Sequence, residues 1–450
     1  MTTSIPYERT RHEIIKEIMH KQETDAGGQD KLPHAKIIIK GTSSSKPIYR
    51  IDIEELAFNK ANGRIKSEVI EKEAELGRLL NHWEKEDNKY LLEMLLNIRP
   101  EENEKIAEDL IKNSQLYPGI VTCDGIVING NRRKAIFHKL YNETGNDKYK
   151  YLEVHVLPSH ITKAELWLIE AGIQLSAPQQ LDYSPINHLL KLKEGIDAGL
   201  KSHVMANRIY GVTEKKIEDD LKRLELIDEY LNDFLNKSGK YYLVKNLNEH
   251  FINLQNILNW TSNPKGRVKR DWTPEDSDIN ELKLVGFYYI RSRFPHLRIR
   301  ELRDLFLIHN AWIELKKSIN IASEISDDLK EKYGLKNTSE ISNDNENDYD
   351  EDVAVENVNP TEIEQRDMQE EEIWIEHNRG SLKEYFQDAK EQEQIKKSED
   401  EPLALAKKAL KHLRGIPQDK KMISDPEIDI VLKDIISVTN ELRKLIHKSN

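Results

Sequence analysis

One stretch of the chain, residues 124–135, combines a turn, a strand and the start of a helix in the sequence DGIVINGNRRKA. The β-branched residues that follow the Asp-Gly turn signal predict a short buried strand. Gly130 ends this strand, because glycine adopts the backbone angles of a tight turn and lets a ligand approach the backbone. From Asn131 onward, apolar residues recur at helical spacing. The stretch therefore predicts a strand that turns directly into a helix.

The same stretch is typical of an anion site. The first N–H groups of a helix have no partner within the helix, and the helix dipole favours negative charge beside them. Two adjacent arginines add guanidinium groups that are suited to phosphate oxygens. The expected phosphate-binding residues are Gly130, Asn131, Arg132 and Arg133. The alternative is an ordinary turn and helix whose arginines are only solvated.

Segments on either side resemble the sequence boxes of the ParB/sulfiredoxin-like superfamily. Residues 53–65 are similar to its opening box, in which an apolar strand runs into an Asn-rich turn and an arginine, here Asn62 and Arg64. Residues 118–121 stand where the family has a strand leading to its phosphate box. Residues 130–136 resemble that box itself, with the alanine one position early.

Further along, residues 174–187 resemble the third box and the start of the family's helical domain, so the resemblance covers about residues 46–235. It implies that a nucleoside triphosphate, CTP or ATP, is the ligand, with Mg²⁺ as an accompanying ion, and that DNA is a partner. In that arrangement the residues of the phosphate box hold the phosphates, and Asn62 and Arg64 approach from the opening box.

Two departures from the family pattern weaken the case for chemistry. Relatives that hydrolyse CTP carry Glu-Asn-x-x-Arg in the third box, where residues 176–180 here read SAPQQ. Sulfiredoxins place their catalytic cysteine where this chain has Asn131, so sulfiredoxin activity is not expected. The single cysteine, Cys123, is expected to pack as a small apolar residue.

Two other function classes stay open. The chain could be an enzyme of the same fold, such as a small-molecule kinase, an NTPase or a nuclease, with Asp124 and Glu55 as the candidate catalytic acids. It could also be a non-catalytic scaffold with a vestigial pocket. The sequence shows no Cys/His or His-Glu-x-x-His pattern for a metal site.

A second motif follows in a region expected to be almost wholly helical. Residues 204–221 have the pattern of a helix-turn-helix unit, with Gly211 in the turn, Thr213 as the cap of the second helix and Ile217 facing the core. In the family this unit reads DNA; the alternative is a helical hairpin that only completes the domain, since the second helix also carries acids. The expected DNA-binding residues are Lys215, Lys216, Lys222, Arg223, Arg267, Lys269 and Arg270.

The formal net charge of −12 comes from one segment. Residues 341–380 contain fourteen Asp or Glu and two Arg, a balance of −12 that equals the excess of the whole chain. The remainder is close to neutral and has basic clusters at 265–270 and 291–300, which are suited to phosphate. The alternative is a solvated face that nearby acids neutralise.

The overall expectation is an α+β, predominantly helical fold. The expected divisions are a mobile N-terminal arm (1–45) with one helix near 7–21, a nucleotide-binding module (46–160), a helical domain (161–335), an acidic linker (336–400) and C-terminal helices (401–450). Within the linker, residues 373–386 are apolar enough to dock on a partner or on the chain itself. No apolar run approaches the roughly 18 residues of a membrane-spanning helix, and no apolar signal core begins the chain. We expect a cytoplasmic protein without a membrane partner.

The last helix is expected to mediate self-association. After Asp425-Pro426, apolar residues recur at alternating spacings of three and four, which is the pattern of a coiled-coil seam. A homodimer through residues 427–446 would bury this stripe. The alternative is that it packs on the preceding helix of the same chain.

Overall fold

The computed structural model describes residues 10–39, 42–174, 183–262, 271–322, 324–333, 360–416 and 426–448. The fold is α+β and predominantly helical, as the sequence predicts. Among these residues, no helix is long and apolar enough to cross a membrane.

The strands form a two-stranded hairpin and a five-stranded mixed sheet. In chain order they are β1 (His34–Ile39), β2 (Thr42–Pro47), β3 (Tyr49–Asp52), β4 (Ala57–Phe58), β5 (Gly119–Val121), β6 (Ile126–Asn129) and β7 (Tyr151–Val156). The hairpin pairs β1 with β2, and the sheet has the order β3-β7-β5-β6-β4. The strand expected after the Asp124-Gly125 turn and the strand expected at residues 118–121 are confirmed as β6 and β5.

Helices cover one face of the sheet. They are α1 (Arg11–Ala26), α2 (Lys66–Leu76), α3 (Lys85–Asn97), α4 (Pro100–Asn113) and α5 (Asn131–Thr144). Alternate residues of each strand point to opposite faces. Val127 and Val154 therefore join Ile136 of α5 in one apolar cluster, while Ile120 and Ile128 join a second cluster on the other face.

The helix expected near residues 7–21 is present as α1, but this segment is packed on the fold and does not form a mobile arm. Helix α1 lies over residues 11–26, and its Ile15 is fully buried in the cluster beneath α5. The β1-β2 hairpin follows, and its Ile37 belongs to the cluster on the opposite face. Both segments are thus structural parts of the module that the sequence placed only after residue 45.

The helical region contains the expected helix-turn-helix unit. Its helices are α6 (Lys163–Gln174), α7 (Pro185–Asp197), α8 (Ser202–Ala206), α9 (Glu214–Glu229), α10 (Asn248–Ser262), α11 (Asp276–Arg291), α12 (His296–Ile299), α13 (Leu302–Phe306), α14 (His309–Lys316) and α15 (Asp327–Lys332). Gly211 has a φ of +69° in the turn between α8 and α9. The Thr213 hydroxyl accepts the Lys216 N–H at 3.2 Å, and Ile217 is fully buried. The turn, cap and core positions predicted for this unit are confirmed.

The prediction of an acidic linker over residues 336–400 is also wrong for the part of this range that the structure describes. Residues 334–359 lie outside the described residues, but α16 runs continuously over Pro360–Arg414. The apolar segment 373–386 docks on the chain itself: Trp374 is 1% exposed, and its indole N–H donates to the Ala322 carbonyl at 2.8 Å. The Tyr289 hydroxyl donates to the Leu382 carbonyl at 3.0 Å.

The chain divides into two compact units. The first holds the sheet, helices α1 to α12 and α15, and α16 as far as Leu382. The second comprises residues 271–273, 304–317 and the described residues from 383 onward. In it, the indole N–H of Trp272 donates to the Phe306 carbonyl at 2.9 Å, and the last helix, α17 (Pro426–Lys448), begins near the expected Asp425-Pro426 signal.

Candidate functional site

A cavity of about 560 Å³ lies on the sheet face opposite α5. Its walls come from β1, from the ends of β5, β6 and β7, from α6 and from the segment that follows α8. Apolar side chains such as Ile120 and Ile169 line much of it. The volume is within the range typical of small-molecule sites.

The cavity is positively charged. Lys36 of β1, Arg133 of α5 and Arg208 after α8 line it, and none of the lining residues that the structure describes is acidic. A charge that is partly removed from water without an opposite charge costs free energy, and a bound anion would recover that cost. This arrangement favours an anionic ligand.

Arg133 is held in the wall by neutral partners. Its guanidinium donates to the Tyr117 carbonyl and, at 3.1 Å, to the Asn129 side-chain oxygen. Burial lowers the pKa of Arg133, but a guanidinium remains charged in proteins. Because the partners are a carbonyl and an amide rather than a carboxylate, the positive charge is oriented without being neutralised.

Arg208 connects the cavity to the helix-turn-helix unit. Its backbone N–H donates to the Met205 carbonyl of α8 at 2.9 Å, and Asn207 beside it also lines the cavity. Met205 is fully buried with Ile217 of α9 in one cluster, to which Trp167 of α6 also belongs. The cavity wall and the helix-turn-helix core therefore share the same packed elements.

The strand-to-helix turn itself is built as the sequence predicts. Gly130 has a φ of +111° and caps α5, and a residue with a Cβ would be strained in that conformation. The Asn131 side chain, however, faces inward and is 2% exposed. Its amide donates to the Val127 carbonyl at 2.6 Å and its oxygen accepts the Asn59 N–H at 3.0 Å. Asn131 thus ties the two strands β4 and β6 to α5, and it is not a cavity residue.

Arg132 points away from the cavity. Its Nε donates to the Asn103 side-chain oxygen at 2.9 Å, and its guanidinium lies 3.4 Å from the Glu102 carboxylate of α4. The two neighbouring arginines therefore have different surroundings: Arg132 pairs with an acid outside the cavity, whereas Arg133 lines it.

The opening-box residues lie elsewhere. Asn62 is 1% exposed, and its side-chain oxygen accepts the Arg64 N–H at 2.9 Å. The Arg64 carbonyl accepts the Asn187 side-chain amide at 3.0 Å. A Cβ at Gly63 would lie 2.6 Å from the Tyr183 ring. This turn is therefore packed against the start of α7, and neither Asn62 nor Arg64 is a lining residue of the cavity.

The candidate catalytic acids are engaged within the fold. Asp124 accepts a hydrogen bond from the Thr122 hydroxyl in its own turn. The Glu55 carboxylate lies 2.9 Å from the Arg11 guanidinium. Neither residue lines the cavity. Among the described side chains, no group of three or more His, Cys, Asp or Glu could hold a metal ion.

The DNA-binding candidates divide into three groups. Lys215 and Lys222 are exposed on α9. Lys216 lies 2.6 Å from the Asp220 carboxylate, and Arg223 is buried against the same acid. Burial raises the pKa of Asp220, but a hydrogen bond with His188 together with these two contacts lowers it to about 2. Arg223 is therefore a structural residue of the unit. Arg267, Lys269 and Arg270 lie outside the described residues.

Of the lining residues, the sequence predicts only Arg133 as a site residue, and it does not predict the other basic ones, namely Lys36, His155 and Arg208. His155 could have been found from strand alternation, because Leu152 and Val154 of β7 face the helices and His155 must face the other way. Lys36 had no such signal, since the hairpin was expected to be part of an arm. Arg208 follows a helix whose position depends on distant contacts.

Next to Arg133, Lys134 is a buried lysine whose ammonium lies 3.6 Å from the centroid of the Phe58 ring. Burial lowers the pKa of Lys134 to about 7, and the Glu54 carboxylate opposes only part of this shift. The ordinary lysine pKa of about 10.4 applies to the unfolded chain. The unfolded state therefore binds the proton more tightly, and the stability of the native chain should rise with pH between about 7 and 10.

We expect Lys134→Met to raise the free energy of unfolding by about 1–3 kcal/mol at neutral pH, because it removes the cost of burying an ammonium. The variant should also lack the rise in stability between about pH 7 and pH 10. Urea unfolding of both proteins across this window measures both effects. A variant that is less stable than the native chain at neutral pH would contradict this explanation.

Comparison with known proteins gives no protein-family model, no curated protein and no solved structure that matches this chain.

Proposed function

We propose that this protein is a nucleotide-responsive, DNA-associated protein of the ParB/sulfiredoxin-like type. The observation that carries the proposal is the acid-free cationic cavity, which takes Arg133 from the α/β module and Arg208 from the helix-turn-helix unit. Nucleoside triphosphates combine several negative charges with a base and a sugar. That combination suits a wall that is part cationic and part apolar.

In this proposal the phosphate ligands differ from those that the sequence predicts. Arg133 keeps its role, and Lys36 and Arg208 replace Arg132 and Asn131, whose side chains have structural partners. Lys36 has a flexible side chain that ends in a single charged ammonium and can adjust to the position of a phosphate. The two arginines instead offer planar pairs of hydrogen-bond donors.

The link to DNA is a shift between conformations. A ligand that contacts Arg133 and Arg208 together stabilises the arrangement in which the helix-turn-helix unit is held against the module. An equilibrium can shift only through such a difference in binding between two states. Lys215 and Lys222 are then the exposed cations that would contact DNA phosphates, which makes the association dependent on salt.

Self-association and a cytoplasmic location belong to the same proposal. In α17, the side chains of Val431, Val438, Leu442 and Leu445 are each at least 55% exposed. Their spacing is that of a coiled-coil seam, and a second copy of α17 would cover them. Mg²⁺ would accompany the triphosphate, held chiefly by the phosphate oxygens. Turnover is not proposed, because Asp124 and Glu55 lie outside the cavity.

The matched variants Arg133→Ala and Arg132→Ala test the nucleotide site. We expect Arg133→Ala to weaken nucleotide binding about 10- to 100-fold, since it removes charge-assisted hydrogen bonds. Arg132→Ala removes the same charge one residue away and should leave affinity within about threefold. Titration calorimetry with CTP, ATP, GTP and UTP, with and without DNA, gives the affinities, and phosphate release reports hydrolysis.

Two outcomes contradict the proposal. If no nucleotide binds the native chain in any of these conditions, the cavity does not have the proposed function. If Arg132→Ala loses affinity and Arg133→Ala keeps it, the phosphates lie at the α4 side of the turn and not in the cavity.

A further inference from the structure

One residue of the cavity wall, His155, has a buried ring nitrogen without a hydrogen-bond partner among the residues that the structure describes. His155 of β7 is 3% exposed, and its Nδ1 lies 2.9 Å from the Pro47 carbonyl oxygen. Its other nitrogen, Nε2, is buried and has no hydrogen-bond partner among the described residues. Buried polar atoms in folded proteins nearly always have a partner, so a missing one requires an explanation.

The Pro47 contact fixes the tautomer of His155. A carbonyl oxygen can only accept a hydrogen bond, so Nδ1 must carry the proton. Burial lowers the pKa of the imidazole below its ordinary value, and the ring is therefore neutral at neutral pH. In a neutral imidazole with its proton on Nδ1, Nε2 is an acceptor with a free lone pair.

This acceptor differs in kind from the three cations of the wall. Lys36, Arg133 and Arg208 are donors only, and they fit the oxygens of an anion. Nε2 instead requires a hydroxyl or an N–H group. Two complementary demands therefore meet in one cavity: an anionic group for the cations, and a neutral donor for His155.

We propose that His155 determines the specificity of the cavity by accepting a hydrogen bond from the ligand. The ligand class is then a phosphate-bearing molecule that also carries a hydroxyl or amino donor on its non-phosphate part, and a bare inorganic phosphate chain does not satisfy the site. This inference rests on the proposed nucleotide-binding function. It adds which part of the ligand is read, and by which residue.

The energetic basis is the state of Nε2 in the free protein. Because the atom is closed off from water, a ligand donor gains a hydrogen bond there without displacing one to solvent. In the proposed complex, side chains of the wall change rotamer to admit the donor, as is common on binding. A ligand without a donor would leave the lone pair of Nε2 buried without a hydrogen bond, and would bind more weakly.

The test compares two probes on two histidine variants. His155→Phe retains an aromatic ring and removes the acceptor. We expect it to weaken the binding of the tightest nucleotide among CTP, ATP, GTP and UTP about tenfold, and to leave the binding of inorganic triphosphate unchanged. His34→Phe is the matched control, because the His34 Nδ1 also lies 2.8 Å from a carbonyl, that of Leu32, and His34 is exposed and does not line the cavity.

The outcomes separate the inference from the function on which it rests. Equal loss for both probes in His155→Phe, or no loss for either, overturns the specificity role while nucleotide binding stands. If neither probe binds the native chain, the proposed function fails, and this inference fails with it. Nitrogen NMR of the labelled imidazole gives an independent check that needs no ligand: a proton on Nε2 in place of Nδ1 at neutral pH overturns the inference.

Discussion

Replacing Glu371 by glutamine is expected to lower the free energy of unfolding by about 3–5 kcal/mol. The Glu371 carboxylate accepts two hydrogen bonds of 2.9 Å from the Nε and Nη2 of Arg291. Both side chains are buried, at 4% and 6% exposure, and the guanidinium lies 4.1 Å from the centroid of the Trp374 ring. Glutamine keeps the shape but removes the charge, so the buried arginine would lose the carboxylate with which it forms two hydrogen bonds.

Two further variants distinguish this explanation from a general effect of mutation. Glu372→Gln removes the same charge from the next, exposed residue and should change stability by less than about 0.5 kcal/mol. The double variant Arg291→Met/Glu371→Met removes both charges and should recover much of the loss, since replacing a whole buried pair by apolar residues is often neutral. Urea unfolding measures all three. A loss below about 1 kcal/mol in Glu371→Gln would show that α16 is not held by this pair.

Removing both cavity arginines is expected to have the largest effect on binding. We predict that Arg133→Ala/Arg208→Ala weakens the tightest nucleotide by more than about 100-fold, because each arginine supplies charge-assisted hydrogen bonds worth about 1.5–3 kcal/mol. The effect should exceed that of Arg133→Ala alone, since both arginines line the cavity and contact the phosphates in the proposed complex.

The matched control for this double variant is Arg132→Ala/Lys215→Ala. It removes the same total charge from α5 and from the helix-turn-helix unit, but neither residue lines the cavity. A difference between the two doubles therefore reports contact with the ligand, and an equal loss would report only the long-range field of the protein. Circular dichroism establishes that both doubles are folded.

Local sequence signals predicted the parts of the fold that depend on local physics. The strand over 126–129, the turn at Gly130 and the helix from Asn131 follow from side-chain branching, backbone freedom and apolar spacing within a dozen residues. The cap at Thr213 and the positive φ of Gly211 belong to the same class. In each case the determining contacts lie within one or two turns of the residue itself.

The direction in which each arginine side chain points could not be predicted from such local signals. Arg132 is held by Asn103 and Glu102, about thirty positions away along the chain, and Arg133 by the carbonyl of Tyr117. Adjacent helical residues point in different directions, so only the packing of α4 and β5 decides which arginine meets the cavity. The contribution of Arg208 to the cavity wall likewise depends on the position of α8.

Acidic composition misled the sequence prediction for α16. Glu371 meets Arg291, and Asp367 meets Lys237 at 2.5 Å as well as the hydroxyl of Tyr242. These distant cations neutralise acids that, on composition alone, indicated a solvated linker. The buried Trp374 adds an apolar contact, which the net charge of the segment does not indicate.

The most direct test of the proposed coupling measures the affinity of the native chain for random-sequence duplex DNA with and without saturating nucleotide. The reverse experiment measures nucleotide affinity with and without saturating duplex, and thermodynamic linkage requires the same factor from both. We predict a common factor of about fivefold or more in the native chain, and a factor near one in Arg133→Ala/Arg208→Ala. A native chain that binds nucleotide through these arginines but shows no change in DNA affinity would contradict the proposed link between the cavity and the helix-turn-helix unit.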